Sequence, residues 1–174
     1  MRDLKHWACL VLFLAACAAF GNYVIVPLAR IASASQLSRG SRHMPATAQD
    51  IVTLALKHVG ETYKLGARVP MASAQWNGPW DCAEFASWCL YRATGVLYGV
   101  RPENDPVRAD GYSGWWIEQA VRDGATVPLD VAIRTPGAFL LRAAGKDWIG
   151  HVVISDGRGG TVEAHSSKTG VIRG

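Results

Sequence analysis

The 174-residue sequence contains no CxxC pair, no HExxH motif, no internal repeat and no low-complexity tract. Without paired Cys or His spacings, neither a zinc finger nor a disulfide scaffold is indicated. A zinc hydrolase built on Cys82, His151 and His165 is a poor alternative for the same reason. Charged residues are also sparse, at 18%, and the net charge of +4 is spread along the chain. A run of Lys and Arg interleaved with aromatics, the footprint of a nucleic-acid face, is missing, so no nucleic-acid partner is expected. The basic balance favours acidic surroundings such as an anionic lipid or an acidic wall polymer.

Four cysteines are present, Cys9, Cys17, Cys82 and Cys89, the first two inside an apolar N-terminal stretch. On a helix, Cys82 and Cys89 would stand about two turns, or roughly 10 Å, apart, too far to bridge. That leaves Cys82 available as a thiol. Seven tryptophans, several near Cys82, fit a substrate groove, although a buried core is the commoner use of Trp.

Trp7 to Leu28 is a run of 22 residues without a charge, preceded by Arg2 and Lys5. Its length suits a membrane span, so residues 7–28 are expected to form a signal-anchor helix in the inner membrane. A cleaved signal ending at Ala32-Ser33-Ala34 is the competing expectation, and a lipoprotein signal at Leu14-Ala15-Ala16-Cys17 the third. Residues 1–32 are thus the apolar anchor or signal segment, and residues 33–46, rich in Ser, Arg and Gly, the linker. Gly40-Ser41-Arg42-His43-Met44 has the form of a cloning remnant, which makes a start at Met44, with a cytosolic or phage product, the alternative to a cell-envelope location.

Residues 47–174 suit one catalytic domain. Thr47-Ala48-Gln49-Asp50 reads as a capping box that opens a first helix, with Gly60 as its stop. A second helix is expected from Cys82 to about Thr94 and a third from about Gly114 to Arg122. Beyond them, Ala138–Arg142, Gly150–Ser155, Thr161–His165 and Gly170–Arg173 are short β-rich segments divided by Gly and Asp. Helices first and an antiparallel sheet afterwards make an α+β fold.

The most informative stretch is Trp80-Asp81-Cys82-Ala83-Glu84-Phe85. Asp81 can cap the helix with Glu84 as its N3 partner, which makes Cys82 the first helical residue. A thiol there sits among unsatisfied N–H groups and at the positive end of the helix dipole, a placement that favours the thiolate. Phe85, Ala86, Cys89 and Ala93 would form the buried stripe, with Gly95 closing the helix. A nucleophilic cysteine needs an imidazole to take its proton and a polar group to hold that ring. His151 opens an apolar strand about seventy residues downstream. On the next strand, Glu163 and His165 share one face by alternation, and either can orient His151.

Asp81-Cys82-Ala83-Glu84-Phe85, Pro136-Gly137-Ala138-Phe139-Leu140-Leu141, Gly150-His151-Val152-Val153-Ile154 and Val162-Glu163-Ala164 together resemble the NlpC/P60 family, in order and spacing, over roughly residues 47–173. The resemblance implies a papain-like fold, with the nucleophile helix packed on a small antiparallel sheet. It implies Cys82 as nucleophile, His151 as base, and a third polar group at position 163. Gly60-Glu61-Thr62-Tyr63 resembles the segment whose tyrosine helps bind the oxyanion, which brings Tyr63 into the site. Three departures stand out. Ala83-Glu84 replaces the usual Ser-Gly pair, and Ala138 replaces the usual Asp. The chain also stops at Gly174, where relatives commonly add strands, so the sheet is expected to be truncated or minimal.

The same resemblance implies hydrolysis of amide bonds in peptidoglycan stem peptides through an acyl-enzyme, with no metal or organic cofactor. An acyl-transferase or amidase on another substrate is the nearest alternative, because substrate choice lives in loops such as 66–79 and 98–113. A wall-binding module without turnover is the alternative of a different class.

Overall fold

The computed structural model describes residues 23–26 and 47–174. The anchor or signal, lipoprotein and linker expectations fall on residues outside the described ones, apart from Tyr23–Val26. Those four form β1, an edge strand antiparallel to β4, rather than the end of an apolar helix. Tyr-Val-Ile-Val is β-branched and aromatic, a composition that fits a pleated surface better than a helix. Among the described residues, no helix is long and apolar enough to cross a membrane.

The first helix, α1, spans Ala48–Leu56 and opens with the expected capping box between Thr47 and Asp50. It ends before Gly60 because the chain tightens after Leu56, with Lys57 and His58 donating to carbonyls three residues back. His58 is thereby turned beneath Trp80, Phe85 and Trp88. Helix α2, Cys82–Thr94, matches its expected bounds, and Gly95 closes it in the left-handed conformation at φ 75°. The expected buried stripe is too narrow, since every residue from Cys82 to Leu90 is buried. This helix is the centre of the core, enclosed on all sides rather than on one.

Two short strands, β2 (Val100–Arg101) and β3 (Asp110–Gly111), pair antiparallel between α2 and the third helix, α3 (Ser113–Arg122). A one-turn helix, α4 (Leu129–Ala132), leads to the sheet. The sheet consists of β4 (Phe139–Arg142), β5 (His151–Ser155), β6 (Thr161–Ser166) and β7 (Gly170–Arg173), in the order β1-β4-β5-β6-β7 and antiparallel throughout. The molecule is therefore α+β, as expected. One sheet face, with Phe139, Leu141, Val152, Ile154, Val162, Ala164 and Val171, joins Ile51, Val52 and Ala55 of α1 and the α2 residues in a single core. Gly137, two residues before β4, has φ 72°, and an added Cβ there would lie 2.5 Å from the Ala48 carbonyl oxygen, so the close approach of this segment to α1 requires glycine.

Trp80, Trp88 and Trp116 are fully buried. The tryptophans nearest Cys82 thus build the core, the commoner use of Trp, rather than a substrate groove. Cys89 is buried and free, and burial pushes its thiol well up, as suits a small structural hydrophobe.

Candidate active site

Asp81 caps α2 as expected: its Oδ1 accepts from the Glu84 N–H at 2.9 Å, while its Oδ2 accepts from the Gly66 N–H at 3.2 Å. One carboxylate thus ties the 64–66 turn to the first turn of the nucleophile helix. Burial pushes the Asp81 carboxyl up, and the N–H donors oppose it. Glu84 is not the reciprocal capping partner. Its side chain is fully buried, and neither oxygen has a partner in regular hydrogen-bond geometry, although the Asp110 carboxyl and Gly111 N–H act on it. Burial first, then Asp110, pushes its pKa up to about 9, so Glu84 is a neutral acid at pH 7.

Cys82 follows the cap as the first residue of α2, 5% exposed, with its sulfur 4.0 Å from the Gly150 carbonyl oxygen. His151, the next residue after Gly150, hydrogen-bonds Glu163, and the adjacent Cys82 thiol acts on its ring. Its Nε2 lies 2.6 Å from Glu163 Oε2, which leaves Nδ1 as the nitrogen for the sulfur. Glu163 Oε1 accepts from the Thr161 hydroxyl at 2.9 Å, so the carboxylate is anchored at both ends. Burial pulls the imidazole pKa down, but the hydrogen bonds and charges of Cys82 and Glu163 outweigh it and raise the value to about 9. Burial likewise pushes Glu163 up, and its hydrogen bonds to His151 and Thr161 reverse that, holding it below the usual carboxylate range. The arrangement favours the imidazolium beside an ionised Glu163, the form of the ring that can donate a proton.

His165 shares the face of Glu163 but does not bond to His151. The two rings stand 6.3 Å apart edge to face, and His165 Nδ1 pairs with the Thr169 hydroxyl at 2.9 Å. Of the two alternatives for the third group, the geometry brings Glu163 to the base. Tyr63 is half-buried in a segment stitched alongside Trp80, with Trp80 N donating to the Thr62 carbonyl and Lys64 N to the Trp80 carbonyl. Burial first, then the negative charges of Cys82 and Asp81, pushes its hydroxyl up to about 12, so Tyr63 is a protonated donor close to the nucleophile.

Residues 110–113, read as the end of a loop that sets substrate choice, pack against both Cys82's helix and the residue before His151. A Cβ on Gly111 would meet the Glu84 nitrogen at 3.0 Å and the Ala83 carbonyl at 3.1 Å, and a Cβ on Gly150 would meet the Ser113 hydroxyl at 2.2 Å. Gly111 therefore abuts the first turn of α2, and Ser113 abuts the residue before the base. No sequence signal beyond the glycines themselves marks this packing. A cavity of about 520 Å³ opens beside His151, with Glu163, His165, Tyr63 and Arg142 in its walls. Cys82 is not a wall residue, so the dyad meets the cavity through the base. Among the described residues, no three His, Cys, Asp or Glu side chains are grouped to hold a metal ion.

No family model matches the chain, and no curated protein matches it. Among solved structures, the chain is similar to one described as the NlpC/p60 domain of peptidoglycan hydrolase SagA, with 23% identity over 74% of this chain and 88% of that one, and a TM-score of 0.49. At that level of likeness, the reading of the site rests on its own geometry.

Proposed function

We propose that this protein is a cysteine hydrolase that cleaves amide bonds in peptidoglycan stem peptides. The observation that carries the reading is His151, held between the Cys82 thiol and the Glu163 carboxylate, with the nucleophile at a helix N-terminus. The substrate class comes from the four sequence motifs that resemble the NlpC/P60 family, and the α+β fold agrees with it.

In the proposed reaction, the Cys82 thiolate attacks the amide carbonyl carbon and a C–S bond forms. Negative charge moves to the carbonyl oxygen, where backbone N–H groups at the start of α2 and the Tyr63 hydroxyl stabilise it. His151 gives its proton to the leaving nitrogen as the C–N bond breaks, leaving a thioester. Water then attacks the thioester as His151 takes one of its protons, the C–S bond breaks to restore the thiolate and imidazolium, and the acid product passes its remaining proton to the released amine as it leaves as the carboxylate. Glu163 holds the ring and stabilises the imidazolium. Every atom is supplied by the chain, the substrate and water. Such an enzyme works in the cell envelope, where its polymer is, and the apolar stretch that precedes β1 is proposed as the segment that directs it there.

The test is digestion of purified peptidoglycan by the protein and by Cys82→Ala, with the fragments identified by mass spectrometry. Cleavage by the parent alone is expected, and the fragment masses name the bond. Equal digestion by both proteins, or none by folded parent, overturns the reading.

A further inference from the structure

Beside the base, the 520 Å³ cavity has a composition that the dyad does not account for. Leu129, Ile133, Leu140, Ile149 and Val153 make its walls largely apolar, and one guanidinium, Arg142, stands among them. Arg142 and His151 are direct cross-strand partners in the β4–β5 pair, which puts both side chains on the same sheet face. The guanidinium is poorly paired. Its Nε is buried with no hydrogen-bond partner among the described residues, and Nη2 reaches only the Ile149 carbonyl at 3.5 Å. Glu163 is the one acid among the described wall residues, and His151 and Thr161 already occupy its oxygens.

A guanidinium whose Nε is shut off from water without a partner lacks a hydrogen bond that a ligand could supply. A carboxylate suits that role, because a guanidinium fork matches a carboxylate with two parallel hydrogen bonds. The side of the scissile bond is set by the chemistry. His151 is the wall through which the dyad meets the cavity, and His151 protonates the leaving nitrogen. A group lying in the cavity therefore belongs to the component that supplies that nitrogen.

We propose that this cavity is the subsite for the leaving amino component, and that Arg142 selects one carrying a carboxylate beside the scissile nitrogen, as an α-amino acid does, over its carboxamide. This rests on the hydrolase reading above and adds to it a specificity-determining residue. The apolar walls would hold the aliphatic part of the same residue.

The experiment uses two synthetic stem peptides that share the acyl part and the scissile amide and differ only in a carboxylate or a carboxamide next to the scissile nitrogen. The parent is expected to favour the carboxylate by about tenfold to a hundredfold in kcat/KM, the range of one charge-assisted hydrogen-bond pair. Arg142→Gln brings that ratio near one, through KM rather than kcat, and Arg142→Lys keeps part of it as a point charge without the fork. Equal cleavage of the two peptides by the parent overturns the subsite and leaves the hydrolase standing. The same holds if both Arg142 variants keep the parent's ratio. Calorimetric binding to Cys82→Ala separates the two readings. Selective binding with no turnover by the parent leaves the subsite and sinks the hydrolase, and neither binding nor turnover sinks both.

Discussion

At the site, the protonation of His151 decides how the proposed activity depends on pH. Its pKa of about 9 means that the imidazolium, the proton donor for the leaving nitrogen, persists through neutrality and is lost as pH rises through that value. The alkaline limb of kcat/KM for stem-peptide cleavage is therefore expected near pH 9. Glu163→Gln removes a negative charge that raises the imidazole, so the limb moves to lower pH, and kcat falls by about 10²-fold as general acid–base catalysis is impaired. A limb that stays in place would separate Glu163 from the base. His165→Ala is expected to cost far less, because its ring nitrogen is engaged by Thr169 and makes no bond to His151. Comparing these two variants decides which side chain is the third group.

Among the elements, the proposed dyad depends on how α2 and β5 are held relative to each other, and the 110–113 segment packs against α2 and against the residue before β5. Gly111→Ala would press a methyl against the backbone of Ala83 and Glu84 at 3.0–3.1 Å, where no flexible side chain can yield. The expected result is destabilisation of about 1–3 kcal/mol and a loss of activity of about 10²-fold, since the nucleophile shifts with its helix. Urea melts and initial rates check the two. Asp81→Ala removes both the cap on α2 and the tie to Gly66. It should cost about 1 kcal/mol as a lost helix cap, with an accompanying fall in kcat because Tyr63 precedes the same turn.

For the whole molecule, two buried groups give stability the same slope. His151 is raised from 6.5 to about 9, and its contribution is complete below pH 6.5 and lost as pH rises through 9. Glu84 is raised from 4.5 to about 9, so it too holds a proton in the folded state that the unfolded chain has released across this window. Each group can remove up to about 1.4 kcal/mol per pH unit. The melting temperature is accordingly expected to fall between pH 6.5 and 9. Glu84→Gln, neutral at every pH and nearly isosteric, should flatten the fall, and scanning calorimetry at several pH values checks it. An unchanged slope in this variant would mean that Glu84 is already ionised at pH 7.

Much of this was legible in one dimension because local rules governed it. The Thr47 and Asp81 caps, Gly95 as the stop of α2, the four C-terminal strands and the placement of Cys82 at a helix start all arise from side chains acting on backbone groups within a few residues. The alternation of β6 put Glu163 and His165 on one face, but alternation cannot choose between them. The cross-strand distance chose Glu163, by bringing its oxygen to 2.6 Å from the His151 nitrogen. Glu84 looked like a capping partner because its spacing was right, and only the packing of β3 against α2 turned it into a buried neutral acid. The Trp residues near Cys82 went to the core, where α1, α2 and the sheet compete for large apolar area. The short strands β2 and β3, the packing at Gly111 and Ser113, and the cavity around Arg142 had no periodic signal to announce them. They exist because segments far apart in sequence are brought together, and their energies lie in contacts that only the folded chain contains.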